Sequence, residues 1–157
     1  MAGVDRFNFD LLKKRNILLA SAKGCNAREV AEHALALLFA LAKRISFMDK
    51  MLKKDNWVPW TPETMLDDLK DKNIGIIGYG CIGREIGKLC KSLGMNVYTI
   101  KRTPIPPDNI AEFIGDTDSL DYVLSLSDYV IITLPLTPQT RGIINEEKLK
   151  KMKKLLF

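Results

Sequence analysis

The sequence predicts an α/β domain, a doubly wound parallel sheet with helices on both faces. Three observations carry this. From Asn73 onward, short apolar strands alternate with amphipathic helices. A glycine-rich turn, Gly78-Tyr79-Gly80-Cys81-Ile82-Gly83, joins the first of these strands to its helix. No apolar run reaches membrane-spanning length: the longest, Ala34 to Ala42, lies between His33 and Lys43 and suits a buried helix. A chain of 157 residues is enough for one domain with a real core and short for two.

In chain order, Asn16 to Ala20 (NILLA) reads as a short strand. A long helix follows, with Asn26 as its cap and Glu29 three residues on, a capping-box arrangement. Val30, Ala34, Leu37, Leu38, Leu41, Ile45, Met48 and Leu52 recur at helical spacing, so one helix is expected through Ala27–Lys54. Between Ala34 and Ala42 it is apolar on nearly every side and needs cover on two fronts, by its own sheet and by a second subunit. Asp55 to Thr64 (DNWVPWTPET) breaks the pattern and reads as an extended arm, its Trp57 and Trp60 either packing the arm or plugging a neighbour's cleft. Ile74, Ile76 and Ile77 mark the strand before the glycine turn. Ile82, Ile86, Leu89, Cys90 and Leu93 mark one face of the helix after it, and Asn96 to Ile100 the next strand. A Pro-rich loop, Thr103 to Asn109, leads to a helix at Asp118 to Ser127, a buried strand at Asp128 to Leu136 and a last helix from Asn145.

The net charge of +5 owes much to Lys148–Lys154. Glu146 and Glu147 in the first turn and lysines towards the end suit the helix dipole, and no aromatic interleaving accompanies them. A solvated helix end is therefore expected rather than a nucleic-acid patch. The N-terminus lacks the basic and apolar regions of a signal peptide, and Cys25, Cys81 and Cys90 have neither disulfide-framework nor zinc spacing. A cytoplasmic setting follows, with no metal, nucleic-acid or membrane partner.

The strand–turn–helix–strand unit gives the glycines their roles. Gly78 makes the tight turn, Gly80 lets a pyrophosphate approach the backbone, and Gly83 lets the helix lie close on the sheet. The N–H groups at the helix start then meet the phosphates. This is a Rossmann-like dinucleotide turn. Such a turn has an acid at the end of the second strand to hold the adenosine ribose, and here that place reads Lys101-Arg102-Thr103. Basic side chains favour a 2′-phosphate, with the Arg fork the better reader, so the pattern points to NADP, with NAD second. Cys81, at the helix start, reads as a spacer beside the cofactor or as a low-pKa redox thiol.

The segments AGVDRFNFDLLKKRNILLASAKGCNAREVAEHALALLFALAKRI, KNIGIIGYGCIGREIGKLCKSLGMNV and LSLSDYVIITLPLTPQTRGIINEEKLKKMK resemble, in order and spacing, the D-isomer-specific 2-hydroxyacid dehydrogenases. WVPW with a basic strand end is most similar to glyoxylate and hydroxypyruvate reductases. The resemblance implies a substrate-domain remnant and crossover at 1–22, and at 23–157 an incomplete Rossmann-like NAD(P)-binding domain. It also implies Cys81 and Ile82 against the pyrophosphate, Leu134 and Pro135 lining the cofactor pocket, and Thr140 closing over it. Ala2 and Gly3 belong to its substrate-side loop. Family members dimerise through the long helix, here Ala27–Lys54, and the Asp55–Thr64 arm.

The resemblance further implies that the family's Arg, Glu and His catalytic set lies past the end of this sequence. His33 is the sole histidine and reads as structural, and Arg141 matches an ordinary turn. The chain is then expected to bind a dinucleotide without chemistry of its own, a small 2-keto or 2-hydroxy acid being handled only in the full-length enzyme. A non-catalytic dinucleotide-binding or dimerisation module is the alternative. The ending Lys154-Leu155-Leu156-Phe157 is what loss of one A would make of a codon run for Lys-Ala-Ile-Ile, so a frameshift or a deliberate truncation is expected.

Overall fold

Four short runs of β-branched and aromatic residues form a parallel sheet, and its two faces set where everything else packs. The computed structural model describes residues 7–59, 61, 64–103, 105, 106 and 108–153. Its elements run α1 (Phe9–Lys14), α2 (Ala27–Ala42), α3 (Ile45–Leu52), β1 (Asn73–Ile77), α4 (Cys81–Ser92), β2 (Asn96–Ile100), β3 (Phe113–Gly115), α5 (Leu120–Leu126), β4 (Tyr129–Ile132) and α6 (Glu146–Lys150). The strand order is β3-β2-β1-β4 and every pairing is parallel. β1 sits at the centre with Ile77 beside Ile100 of β2 and Ile132 of β4, so three strand ends share one edge.

Alternation along the strands divides the core. Ile74, Ile76 and Val97 pack with Ala31, Leu38 and Ala42 of α2 and Ile86 and Cys90 of α4. Ile77 and Ile100 pack on the opposite face with Leu120, Val123 and Leu124 of α5, joined by Leu134, Ile143 and Met152. The buried hydroxyls of Thr99 and Ser127 are satisfied: Thr99 donates to the Ile76 carbonyl at 2.8 Å and Ser127 to that of Val123 at 2.6 Å. Asn145 caps α6 through the Lys148 N–H, with Glu146 and Glu147 in the first turn as expected.

Four expectations need correction. Asn16 to Ala20 is not a strand. The Ile17 N–H closes α1 on the Leu12 carbonyl at 2.9 Å, and Leu18 is almost fully exposed, so the segment has no ladder to join among the described residues. The long helix is two helices, broken at Arg44, whose φ of 47° is left-handed. Asp67 supplies the reason: its N–H takes the Ala42 carbonyl at 3.1 Å, and Lys43 Nζ reaches its carbonyl at 2.6 Å. Asn26 stands at the start of α2 without a side-chain cap bond. β4 ends at Ile132, four residues earlier than expected, because Pro135 and the turn after it leave the sheet.

Two features were not anticipated: α1, capped by the Asn8 side chain on the Leu11 N–H, and the three-residue strand β3. A repeated sequence pattern, Pro-x-Thr-Pro-x-Thr at 59–64 and 135–140, carries the same two hydrogen bonds in both places. In each copy the last Thr hydroxyl takes the first Thr N–H at 2.8 Å and donates to the first Pro carbonyl at 2.6 Å. Trp60 lies outside the described residues, and Trp57 is exposed.

Candidate dinucleotide site

The turn after β1 is built by three backbone constraints. Gly78 has φ of 111°, a conformation strained for any other L-residue. The N–H groups of Gly78 and Tyr79 both donate to the Ile100 carbonyl at 3.1 Å, which ties the turn to the end of β2. The Gly78 carbonyl in turn accepts from the Thr133 hydroxyl at 2.6 Å, which ties it to the segment after β4. A Cβ on Gly83 would collide with that same carbonyl, so the first turn of α4 can approach this closely only without a side chain.

Gly80 is different. It is exposed, and a Cβ there would meet no atom within 4 Å. It is the N-cap of α4 and offers no side-chain oxygen to the helix. Among the described residues no protein acceptor takes the N–H groups of Cys81, Ile82 or Gly83. These donors, carrying the positive end of a twelve-residue helix, fit a pyrophosphate approaching over Gly80. Any residue with a side chain at 80 would stand in that approach.

The flanking candidates sit at the same sheet edge. Lys101 is half-buried, with its N–H on the Gly115 carbonyl at 2.9 Å, while Arg102 and Thr103 are exposed. Among the described residues neither Lys101 nor Arg102 forms an ion pair, and the three positions hold no carboxylate. Across β1, Leu134 is half-buried, its Cδ2 3.0 Å from where a Gly78 Cβ would stand, and Pro135 is exposed. The Thr140 hydroxyl is spent within its own turn, on Pro135 and Thr137, and braces that turn. So the structure brings Gly78, Gly80, Cys81, Ile82, Gly83, Lys101, Arg102, Thr103, Leu134 and Pro135 to the carboxyl ends of neighbouring strands, where open α/β sheets take ligands. Ala2 and Gly3 lie outside the described residues.

The starts of α2 and α4 flank a cavity of about 430 Å³ whose lining includes Gly24, Cys25, Ala27, Cys81 and Arg84. Cys81 is exposed there, whereas Cys90 is fully buried and burial pushes its thiol up to about 12, leaving it inert. His33 is exposed on α2, and Arg141 is exposed in the turn after β4. No cluster of three or more metal-ligating side chains occurs among the described residues. Nor is any of their helices long and apolar enough to cross a membrane.

One cluster escaped the sequence reading. Tyr79, inside the glycine turn, is 1% exposed, and its hydroxyl donates to the Asp108 carboxylate at 3.1 and 3.3 Å. Arg84 Nη2 lies 3.4 Å from the same carboxylate. Burial, then Asp108, pushes the Tyr79 phenol well above its ordinary value, so it stays an O–H donor at any physiological pH. A large aromatic between two turn glycines was the available signal.

The D-isomer specific 2-hydroxyacid dehydrogenase, NAD binding domain, matches residues 35–157. The D-3-phosphoglycerate dehydrogenase of Archaeoglobus fulgidus is 35% identical over 152 residues, covering 96% of this chain and 28% of that protein. The glyoxylate reductase of Pyrococcus furiosus is 33% identical over 156 residues, covering 96% of this chain and 46% of the relative. Among solved structures, the NAD-complexed D-isomer specific 2-hydroxyacid dehydrogenase of Lactobacillus delbrueckii ssp. bulgaricus superposes with a TM-score of 0.81 at 27% identity. That match covers 98% of this chain and 45% of the other. The chain thus spans less than half the length of these proteins, over the part that surrounds the glycine turn. It belongs to the D-isomer specific 2-hydroxyacid dehydrogenase family, as its NAD-binding domain.

Proposed function

We propose that the chain binds NADP in preference to NAD and serves a glyoxylate- or hydroxypyruvate-type reductase acting on a small 2-keto or 2-hydroxy acid. The observation that carries this is the juxtaposition of an open turn at Gly80 with the acid-free segment Lys101-Arg102-Thr103 at the neighbouring strand end. The N–H groups of Cys81, Ile82 and Gly83 would hold the pyrophosphate. Arg102 would fork onto the 2′-phosphate beside Lys101 and Thr103. Leu134 and Pro135 would form the apolar wall, with Thr140 bracing it. A bound dinucleotide supplies the ring that accepts or donates hydride. The protein groups described here bind and orient it and exclude water.

No residue of this sequence is assigned a catalytic role. Hydride transfer also needs a clamp for the substrate carboxylate and a proton donor beside its oxygen. We assign both to the full-length enzyme, with Ala2 and Gly3 contributing backbone N–H groups. Segment 1–22 is read as the substrate-domain remnant and crossover, in keeping with the absence of any buried residue from Phe7 to Ala22. The outward face of α2 and α3 (Leu37, Leu41, Ile45, Leu52) is read as the homodimer contact with the arm, and the setting as cytoplasmic.

NAD is the second reading, favoured by the NAD-binding family description and by the NAD-complexed Lactobacillus structure. Calorimetric titration of the 157-residue chain with NADPH and NADH separates the two. NADPH should bind more tightly, with added salt narrowing the gap. Equal affinities, or tighter NADH, would favour NAD. A parallel assay of glyoxylate-dependent NADPH oxidation should show none from this chain, and clear turnover would contradict the division of labour.

A further inference from the structure

Tyr79 has no role in holding the dinucleotide as described above, yet it sits between the two glycines that do. Its hydroxyl, the Arg84 guanidinium and the N–H groups of Ile110 and Ala111, at 3.0 and 2.9 Å, all converge on Asp108. Arg84 also lies over the Tyr79 ring, 5.9 Å from its centroid. The ring packs beside α4, its Cε2 3.5 Å from where a Gly87 Cβ would stand. Asp108 is thereby fastened to the glycine turn on one side and to the approach to β3 on the other.

Asp108 is also the far end of the link that starts at Lys101. The near end is pinned by the Lys101 N–H on the Gly115 carbonyl. Between these two anchors no hydrogen bond holds Arg102, Thr103, Ile105 or Pro106 among the described residues. The described residues of the link are therefore held at its two ends, and one of those ends is the cluster on Asp108 to which Tyr79 belongs.

We infer that Tyr79, through Asp108, is a positioning residue for cofactor choice: it sets where Lys101, Arg102 and Thr103 stand relative to the turn that takes the pyrophosphate. This rests on the reading that those residues select the 2′-phosphate. A phosphate reader works best if its fork is held within a fixed reach of the pyrophosphate site, because one covalently connected ligand spans both. Tyr79 is part of the turn itself, so its bond to Asp108 ties the far end of the link to the turn that takes the pyrophosphate.

The test uses the 157-residue chain and three variants: Tyr79→Phe, which keeps the packed ring, Asp108→Asn, which keeps the shape but loses the charge, and Asp108→Ala. NADPH and NADH affinities are measured by calorimetry, and amide hydrogen exchange over 101–111 is measured without cofactor. For Tyr79→Phe, NADPH affinity should fall about three- to tenfold while NADH changes by less than about twofold. Ile110 and Ala111 should also exchange faster. Asp108→Asn should resemble it, and Asp108→Ala should narrow the ratio further. A parent chain that prefers NADPH, with a ratio that none of the variants moves, would overturn the inference. A parent without NADPH preference would overturn the underlying reading, which the parent alone reveals. Unchanged exchange in Tyr79→Phe would show that the hydroxyl anchors nothing.

Discussion

Helices α4 and α2 pack on each other over the same sheet face, yet they finish differently. The inner side of α4 is closed by Gly83, Ile86, Gly87 and Cys90, and its exposed side is made by Cys81, Arg84, Lys88 and Lys91. The inner side of α2 is equally well made, by Ala27, Ala31, Leu38 and Ala42, but its outer side leaves Leu37 at 55% and Leu41 at 68% exposure. One helix is complete within this chain, and its free end offers hydrogen-bond donors. The other is complete only on one side, and its open side offers hydrocarbon. The difference is what the proposed dinucleotide site on α4 and the proposed dimer contact on α2 rest on.

Within α2 the two sides can be set against each other. Leu38→Ala removes a buried side chain and should cost about 3 kcal/mol in denaturant unfolding. Leu41→Glu should leave monomer stability within about 0.5 kcal/mol, yet shift light scattering from dimer to monomer. A folded monomer in the parent chain would mean that α2 does without that cover. The turn before α4 allows the same contrast. Gly83→Ala drives a Cβ against the Gly78 carbonyl and should cost about 2 kcal/mol. Gly80→Ala should cost under about 1 kcal/mol, while dinucleotide affinity falls at least about tenfold. Loss of stability without loss of binding at Gly80 would reverse the assignment.

How much of this was legible depended on whether the cause was local. The unit from Asn73 to Ile100 was legible because its glycine spacing and strand-to-helix change of period are written in consecutive residues. The break at Arg44 was not, because Ile45, Met48 and Leu52 continue the apolar spacing of α2 straight through it. The chain turns there because Asp67, more than twenty residues away, takes the Ala42 carbonyl. NILLA has the composition of a strand but no partner to pair with, whereas Phe113–Gly115, with weaker composition, becomes a strand because the edge of β2 is available. The basic segment at 101–103 could be read for its charge. What holds its link could not, since Tyr79 and Asp108 are 29 residues apart.

A smaller effect tests the electrostatics at the opposite end of β1. Asp128 accepts the Asn73 N–H at 2.7 Å and pairs with Lys153 at 2.8 Å. Burial pushes its carboxyl up, but Lys153 and the Asn73 N–H outweigh that and hold it below its ordinary value. A lowered folded-state pKa stabilises the protein above the unfolded value, and the gain is lost as pH falls through the folded one. Asp128→Asn should therefore cost about 1 kcal/mol at pH 7, with the gap to the parent closing below about pH 4. A gap that persists in acid would show that the carboxylate's charge is not what matters.

Amide chemical-shift mapping of the 157-residue chain with NADPH tests most directly whether the end of α4, and not the open side of α2, takes the dinucleotide. Shifts should concentrate at Gly78 to Gly83, Lys101 to Thr103 and Leu134, with Leu37 to Leu52 unmoved at fixed protein concentration. Shifts centred on α2 and α3, or none at saturating NADPH and NADH, would contradict the account.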